Sequence, residues 1–142
     1  MDFDLRQHTH LLAICGSRAI GTHHPQSDVD VRGVAIPPAR YLHGFLRRFE
    51  QADKDAAIQV FLADLTPDER TVCATTKLEG CVYHLHKFVR LAADANPNLL
   101  EVLFARDAEI RVLTPIGERL RDARQAFLST KVRHTYTGYA VS

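Results

Sequence analysis

Apolar positions fall into short runs separated by polar punctuation. Leu11–Cys15 (LLAIC) is apolar throughout and stops at Gly16, the pattern of a strand buried on both faces. The stretch from Gly16 to Gly21 gives a turn that can open a short helix. Val29, Val31 and the Val34–Ile36 triplet continue a second strand, ended by Pro37-Pro38. Signals then weaken to about residue 57, with one helical turn around Arg40 to Phe45. The β-branched stretch Thr71–Leu78 (TVCATTKL) predicts a third strand.

From Cys81 to Ala95, apolar residues at Val82, Leu85, Phe88, Val89 and Ala92 have helical spacing. Asn96-Pro97 breaks this helix, and Asn98 can cap a second one through Phe104. Thr114-Pro115 starts a third, with Thr114 as cap, Pro115 in the first turn and Ile116, Leu120, Ala123 and Phe127 as the apolar stripe. Val132, Tyr136, Tyr139 and Ala140 then fall at i, i+4, i+7 and i+8. An amphipathic helix is therefore under way where the sequence stops at Ser142. The chain reads as a fragment lacking C-terminal helices, or as a subunit whose 132–140 apolar face an oligomeric partner covers.

At 142 residues, 46% hydrophobic and 25% charged, the chain is sized for a single domain, 1–142, and its composition excludes disorder. The predicted division is a catalytic sheet core to about residue 80 and a helical part over about 81–142. No apolar run approaches the roughly 20 residues of a bilayer span, so no membrane partner is expected. Three scattered cysteines, Cys15, Cys73 and Cys81, form neither a disulfide framework nor a CxxC pair and read as reduced, buried residues of a cytoplasmic protein. Net charge is +1. The 106–134 segment is nevertheless basic, either as a polyanion-binding surface or as a solvated helix face.

The chemistry concentrates between Gly16 and Gly33, GSRAIGTHHPQSDVDVRG. Asp28 and Asp30, two apart on a strand, point to one face about 6–7 Å apart. Carboxylates so placed repel unless a cation lies between them, and Mg²⁺ or Mn²⁺ bridges carboxylates to phosphates. Two such ions can clamp the attacking and leaving oxygens of a phosphoryl displacement. Gly16 and Ser17, at a strand-to-helix turn, leave backbone N–H groups open to phosphate oxygens, and Gly21 lets the backbone pass close by. Arg18 either holds a β- or γ-phosphate or makes a surface ion pair. Arg32 pairs with an acid that orients the motif. His8, His10, His23 and His24 lack companion ligands at zinc spacing, so His23 and His24 read as loop residues flanking a nucleotide. Glu101, three after Asn98, reads as a capping-box residue.

A GS turn followed eleven residues later by DxD resembles the DNA polymerase beta nucleotidyltransferase superfamily. More closely, the chain is similar to the nucleotidyltransferases associated with RNA repair, whose motif runs GSRAxG and then SDxDxRGV. Here Gly16-Ser17-Arg18-Ala19-Ile20-Gly21 and Ser27-Asp28-Val29-Asp30-Val31-Arg32-Gly33-Val34 match it. The likeness continues through Tyr83-His84-Leu85-His86-Lys87-Phe88, Asn96-Pro97-Asn98 and Glu101-Val102-Leu103-Phe104, covering about Leu11 to Phe127. It implies an α/β (α+β) fold, a mixed sheet flanked by helices, and transfer of an NMP from an NTP with Mg²⁺ to an acceptor hydroxyl, an RNA end among the candidates, with release of pyrophosphate. It places Ser27 with Gly16, Ser17 and Arg18 among the nucleotide contacts. Lys87 reaches the triphosphate or snorkels at the core edge. A third carboxylate is required where the family often has Asp four residues before the helix Tyr. This chain has Glu79 there, making Asp28, Asp30 and Glu79 the catalytic and metal-binding set, with Asp64 and Asp68 in reserve. Two other functions stay open: a nucleotide-binding regulatory module of the toxin–antitoxin kind with a degraded site, and an RNA-binding protein using the 106–134 segment.

Overall fold

The computed structural model describes residues 1–16 and 28–132. Five strands form one mixed sheet: β1 (Thr9–Cys15), β2 (Val29–Ala35), β3 (Gln51–Ala52), β4 (Leu78–His84) and β5 (Ile110–Leu113), in the order β3-β4-β2-β1-β5. β1 runs antiparallel to β2 and β5, β2 and β4 are parallel, and β3 is antiparallel to β4. Seven α-helices accompany it: α1 (Leu5–His8), α2 (Ala39–His43), α3 (Asp55–Ile58), α4 (Pro67–Cys73), α5 (Leu85–Ala93), α6 (Pro97–Leu103) and α7 (Pro115–Asp122). The expected fold class is the observed one.

Both faces of the sheet are covered, which is why β1 is apolar without alternation. On one face Leu12, Ile14, Val29, Val31, Leu78 and Val82 pack with Ile58, Phe61 and Leu65. On the other, Leu11, Ala13, Cys15 and Val34 pack with Phe88 and Ala92 of α5 and Leu99, Leu100 and Leu103 of α6. β2 alternates, because Asp30 and Arg32 lie on the second face where the helices stop short of covering it.

Several expected elements are corrected. Thr71–Leu78 is not a strand: α4 occupies Pro67–Cys73, and strand pairing starts at Leu78. A capping box at Thr66 and Glu69, followed by Pro67 at the first helical position, outweighs the β-branched residues behind it. The helix expected from Cys81 starts at Leu85, because residues 78–84 are the parallel partner of β2. Asn96, not Asn98, caps α6; its side chain accepts the Asn98 N–H at 3.0 Å while Pro97 takes the position that needs no donor. Thr114 does cap α7, but that helix ends at Asp122 and Ile116 of its expected stripe is exposed. β5 was not expected, and with the second half of β4 it brings strand into the part read as helical. Of the 132–140 apolar face only Val132 is described, packed against the second core cluster, and most of the Gly16–Gly21 turn lies outside the described residues.

Candidate active site at the mouth of the acidic strands

β1 delivers the chain to Gly16, whose φ of 71° is the left-handed conformation that glycine adopts without a Cβ penalty. Cys15, the last residue of β1, is the register partner of Asp30 on β2. The bend and the acid are therefore neighbours: a Cβ placed on Gly16 would lie 3.6 Å from Asp30 Oδ2. In the parallel pair on the other side, Asp30 is in register with Glu79. Register partners on adjacent strands point to the same face about 5 Å apart, so β4 sets Glu79 beside Asp30. Asp28 sits one residue before β2, exposed, with Oδ1 accepting the Lys77 N–H at 3.2 Å.

A chain of charge-assisted bonds fixes this corner. Glu101, on α6, accepts the Gly16 N–H on Oε1 at 2.8 Å and receives Arg32 Nη1 on Oε2 at 3.1 Å. Arg32 in turn donates Nη2 to Asp30 Oδ2 at 2.7 Å. One carboxylate thus ties the bend after β1 to the acidic strand through a guanidinium, a geometry suited to the fork of arginine. The expected pairing of Arg32 with an orienting acid is present, and the acid is Glu101. The capping-box reading of Glu101 is overturned, because the helix starts two residues earlier than expected and its side chain turns to the sheet.

Burial pushes the Asp30 carboxyl above its ordinary range; Arg32 pulls it back, and the Glu101 and Glu79 carboxylates push it up again. Cys15, buried and near the Glu101 carboxylate, is pushed up to about 12 and stays a protonated core thiol. A cleft of about 350 Å³ opens at this corner, with Asp30, Asp53, Asp55, Lys77 and Glu79 among its lining. Lys77 Nζ stands 3.3 Å from both Asp55 and Glu79. Asp53 and Asp55 form a second DxD that sequence reading passed over, although the spacing was visible in Asp53-Lys54-Asp55.

Among the described residues, no three His, Cys, Asp or Glu side chains converge closely enough to hold a metal ion alone. The donor chemistry nevertheless fits a hard divalent cation, which takes one or two carboxylates and completes its shell with substrate phosphates and water.

Other expected site residues are dispersed. Lys87 is outside this cleft, with Nζ 2.6 Å from Gln51 Oε1 and 3.7 Å from Glu50. Asp64 is held bidentately by Arg6 at 2.7 Å, away from Asp30, and Asp68 is exposed in the first turn of α4. Ser17, Arg18, Gly21, His23, His24 and Ser27 lie outside the described residues. Of the basic 106–134 segment, Arg111 pairs with Glu69, Arg121 with Asp107 and Lys131 with Asp94. Arg106 pairs with Glu109.

A sequence model of the RNA repair pathway DNA polymerase beta family matches residues 6–142, nearly the whole chain. The chain belongs to that family. Its members are DNA polymerase beta-like nucleotidyltransferases, and the mixed sheet fits that assignment. The chain is also similar to an uncharacterized 38.9 kDa protein of Enterobacteria phage T4, from the nrdC-mobD intergenic region. The two are 31% identical over 130 residues, covering 87% of this chain and 34% of the phage protein. The chain thus spans about a third of that relative's length. No solved structure matches it. No helix among the described residues is long and apolar enough to cross a membrane.

Proposed function

We propose that this protein transfers a nucleoside monophosphate from an NTP to an acceptor hydroxyl, with RNA ends the acceptor class favoured by its family. The observation that carries the reading is the placement of Asp30 between the Gly16 bend and Glu79, with Glu101 and Arg32 bracing bend and acid together. Ser17 and Arg18, which follow the bend in sequence, would take triphosphate oxygens, while the Gly16 N–H itself is held by Glu101. Asp30 with Asp28 and Glu79 would hold Mg²⁺ or Mn²⁺, two ions by the usual arrangement, which neutralise developing charge on the phosphates.

The acceptor oxygen forms a bond to the α-phosphorus as the bond to the β-phosphate bridging oxygen breaks. Pyrophosphate leaves, and the hydroxyl proton passes to a carboxylate. Glu79, half exposed at the cleft and 3.3 Å from Lys77 Nζ, is the carboxylate that would take that proton. The chain's own contribution is positioning and charge, without a covalent intermediate on the protein.

A second reading has its own observation. Arg32 sits on Asp30 and Lys77 on Glu79, so protein cations already partner both acids, as they would in a module that binds nucleotide without turning it over. Calorimetry with ATP and GTP in Ca²⁺, beside pyrophosphate release in Mg²⁺ and Mn²⁺ over a panel of RNA acceptors, separates the two. Binding with release, lost in Asp30→Asn, is expected. Binding without release on any acceptor selects the silent module.

A further inference from the structure

Beyond Glu79, β4 runs five residues to His84, about 16 Å of strand. A separate cavity of about 320 Å³ opens at that end, lined by Phe49, Glu50, His84, His86, Lys87 and Arg90. His84 is only 7% exposed and its ring is fixed, with Nδ1 accepting the His86 backbone N–H at 2.9 Å. When Nδ1 accepts, the neutral ring carries its proton on Nε2. No described residue bonds that Nε2–H. Burial, and then the neighbouring His86, hold His84 below its ordinary value, which favours this neutral donor form.

Three other lining residues, His86, Lys87 and Arg90, carry N–H donors. The His86 ring lies 4.8 Å from that of His84, centroid to centroid. Arg90, one helical turn beyond His86, is exposed, and its guanidinium makes no ion pair or hydrogen bond among the described residues. Lys87 is anchored between Gln51 and Glu50. Glu50 is the one carboxylate in the lining; its side chain is 71% exposed and stands 3.7 Å from Lys87 Nζ. The two permanent cations, Lys87 and Arg90, disfavour a metal ion and attract an anion, and the neutral His84 ring adds an N–H donor. These donors line one cavity from the end of β4 and from α5, and N–H groups on several residues can share the oxygens of a phosphate.

We propose that this cavity is a phosphate-binding site separate from the acidic corner, built to hold the non-bridging oxygens of a phosphate mono- or diester. It does not rest on the transfer reading. Free phosphate and a polynucleotide share this chemistry and are distinguished by the probe.

The test is an NMR titration of the whole chain at pH 7 and low salt, following the imidazole nitrogens of His84 and His86. The probes are inorganic phosphate, a short 5′-phosphorylated oligoribonucleotide and the same strand without its terminal phosphate. Saturable shifts at both rings are expected. Arg90→Glu, at an exposed position that leaves the core alone, should weaken binding at least about tenfold. Asp30→Asn should leave phosphate binding unchanged, so failure of the transfer reading would show separately. Binding of inorganic phosphate alone identifies a free anion, of the phosphorylated strand but not its counterpart a terminal phosphate, and of both strands a backbone phosphate. No saturable shift with any probe, or Arg90→Glu binding like the wild type, overturns the proposal.

Discussion

At the scale of single residues, Asp30 has two opposed roles. Its carboxylate is held where burial and two other carboxylates oppose ionisation. A folded-state pKa raised above the unfolded one makes ionisation costly: the penalty is absent below the unfolded value and complete once pH exceeds the folded one. Asp30→Asn should therefore melt at or above the wild-type temperature at pH 7, with the difference shrinking as pH falls into the acid range. Parallel thermal melts across pH check this, and a variant clearly less stable at pH 7 would contradict it. Glu101 acts through others, as a positioning residue. Glu101→Ala leaves the Gly16 N–H and the Nη1 donor of Arg32 without their acceptor and should cost about 1–3 kcal/mol in chemical denaturation, while Glu101→Gln keeps the Gly16 bond and costs less. If the family activity is present, KM for the NTP should rise in the same order. The two aspartates were legible from i, i+2 spacing and Glu79 from its place before Tyr83. Glu101 was not, because its partners are 69 and 85 positions away and a nearby asparagine offered a local explanation.

At the scale of elements, propensity lost to specific end chemistry. Thr71 and Val72 belong to α4 because the Thr66–Glu69 box fixes its start and Glu69 also grips Arg111 of β5, at 2.5 and 3.0 Å. The box was readable in Thr66-Pro67-Asp68-Glu69; the tie to β5 was not, since it joins residues 42 apart. The switch from β4 to α5 at His84 was hidden because Val82, Leu85 and Phe88 fit a helix as well as a strand running into one. Only the need of β2 for a parallel neighbour decides it. Packing also reverses a usual rule at Gly117. An alanine inside a helix normally stabilises relative to glycine by up to ~1 kcal/mol. Here the added Cβ would lie 2.0 Å from the His10 carbonyl oxygen, so α7 would have to move off β1. Gly117→Ala should instead destabilise, by about 1–3 kcal/mol as overpacked sites do, and urea denaturation gives the sign. A stabilised variant would mean that α7 is not seated on β1 as described.

At the scale of the whole molecule, the sheet does what the transfer reading needs by topology alone. Antiparallel β1–β2 brings the bend after Cys15 to the first residues of β2, and parallel β2–β4 brings Glu79 to the same edge. Strand order, which short-range sequence patterns foreshadow but do not contain, therefore sets Asp30 beside both the Gly16 bend and Glu79. The basic C-terminal stretch left a polyanion surface and a solvated helix face both open; in the fold Arg106, Arg111, Arg121 and Lys131 pair with acids from other parts of the chain or from the same turn. The most direct measurement is a crystal structure of the chain with a non-hydrolysable NTP analogue and Mg²⁺. The account predicts triphosphate density against the Gly16 bend, with metal between it and the Asp30–Glu79 pair and Arg32 still joined to Glu101. A triphosphate bound elsewhere, or a metal that touches neither Asp30 nor Glu79, would contradict it.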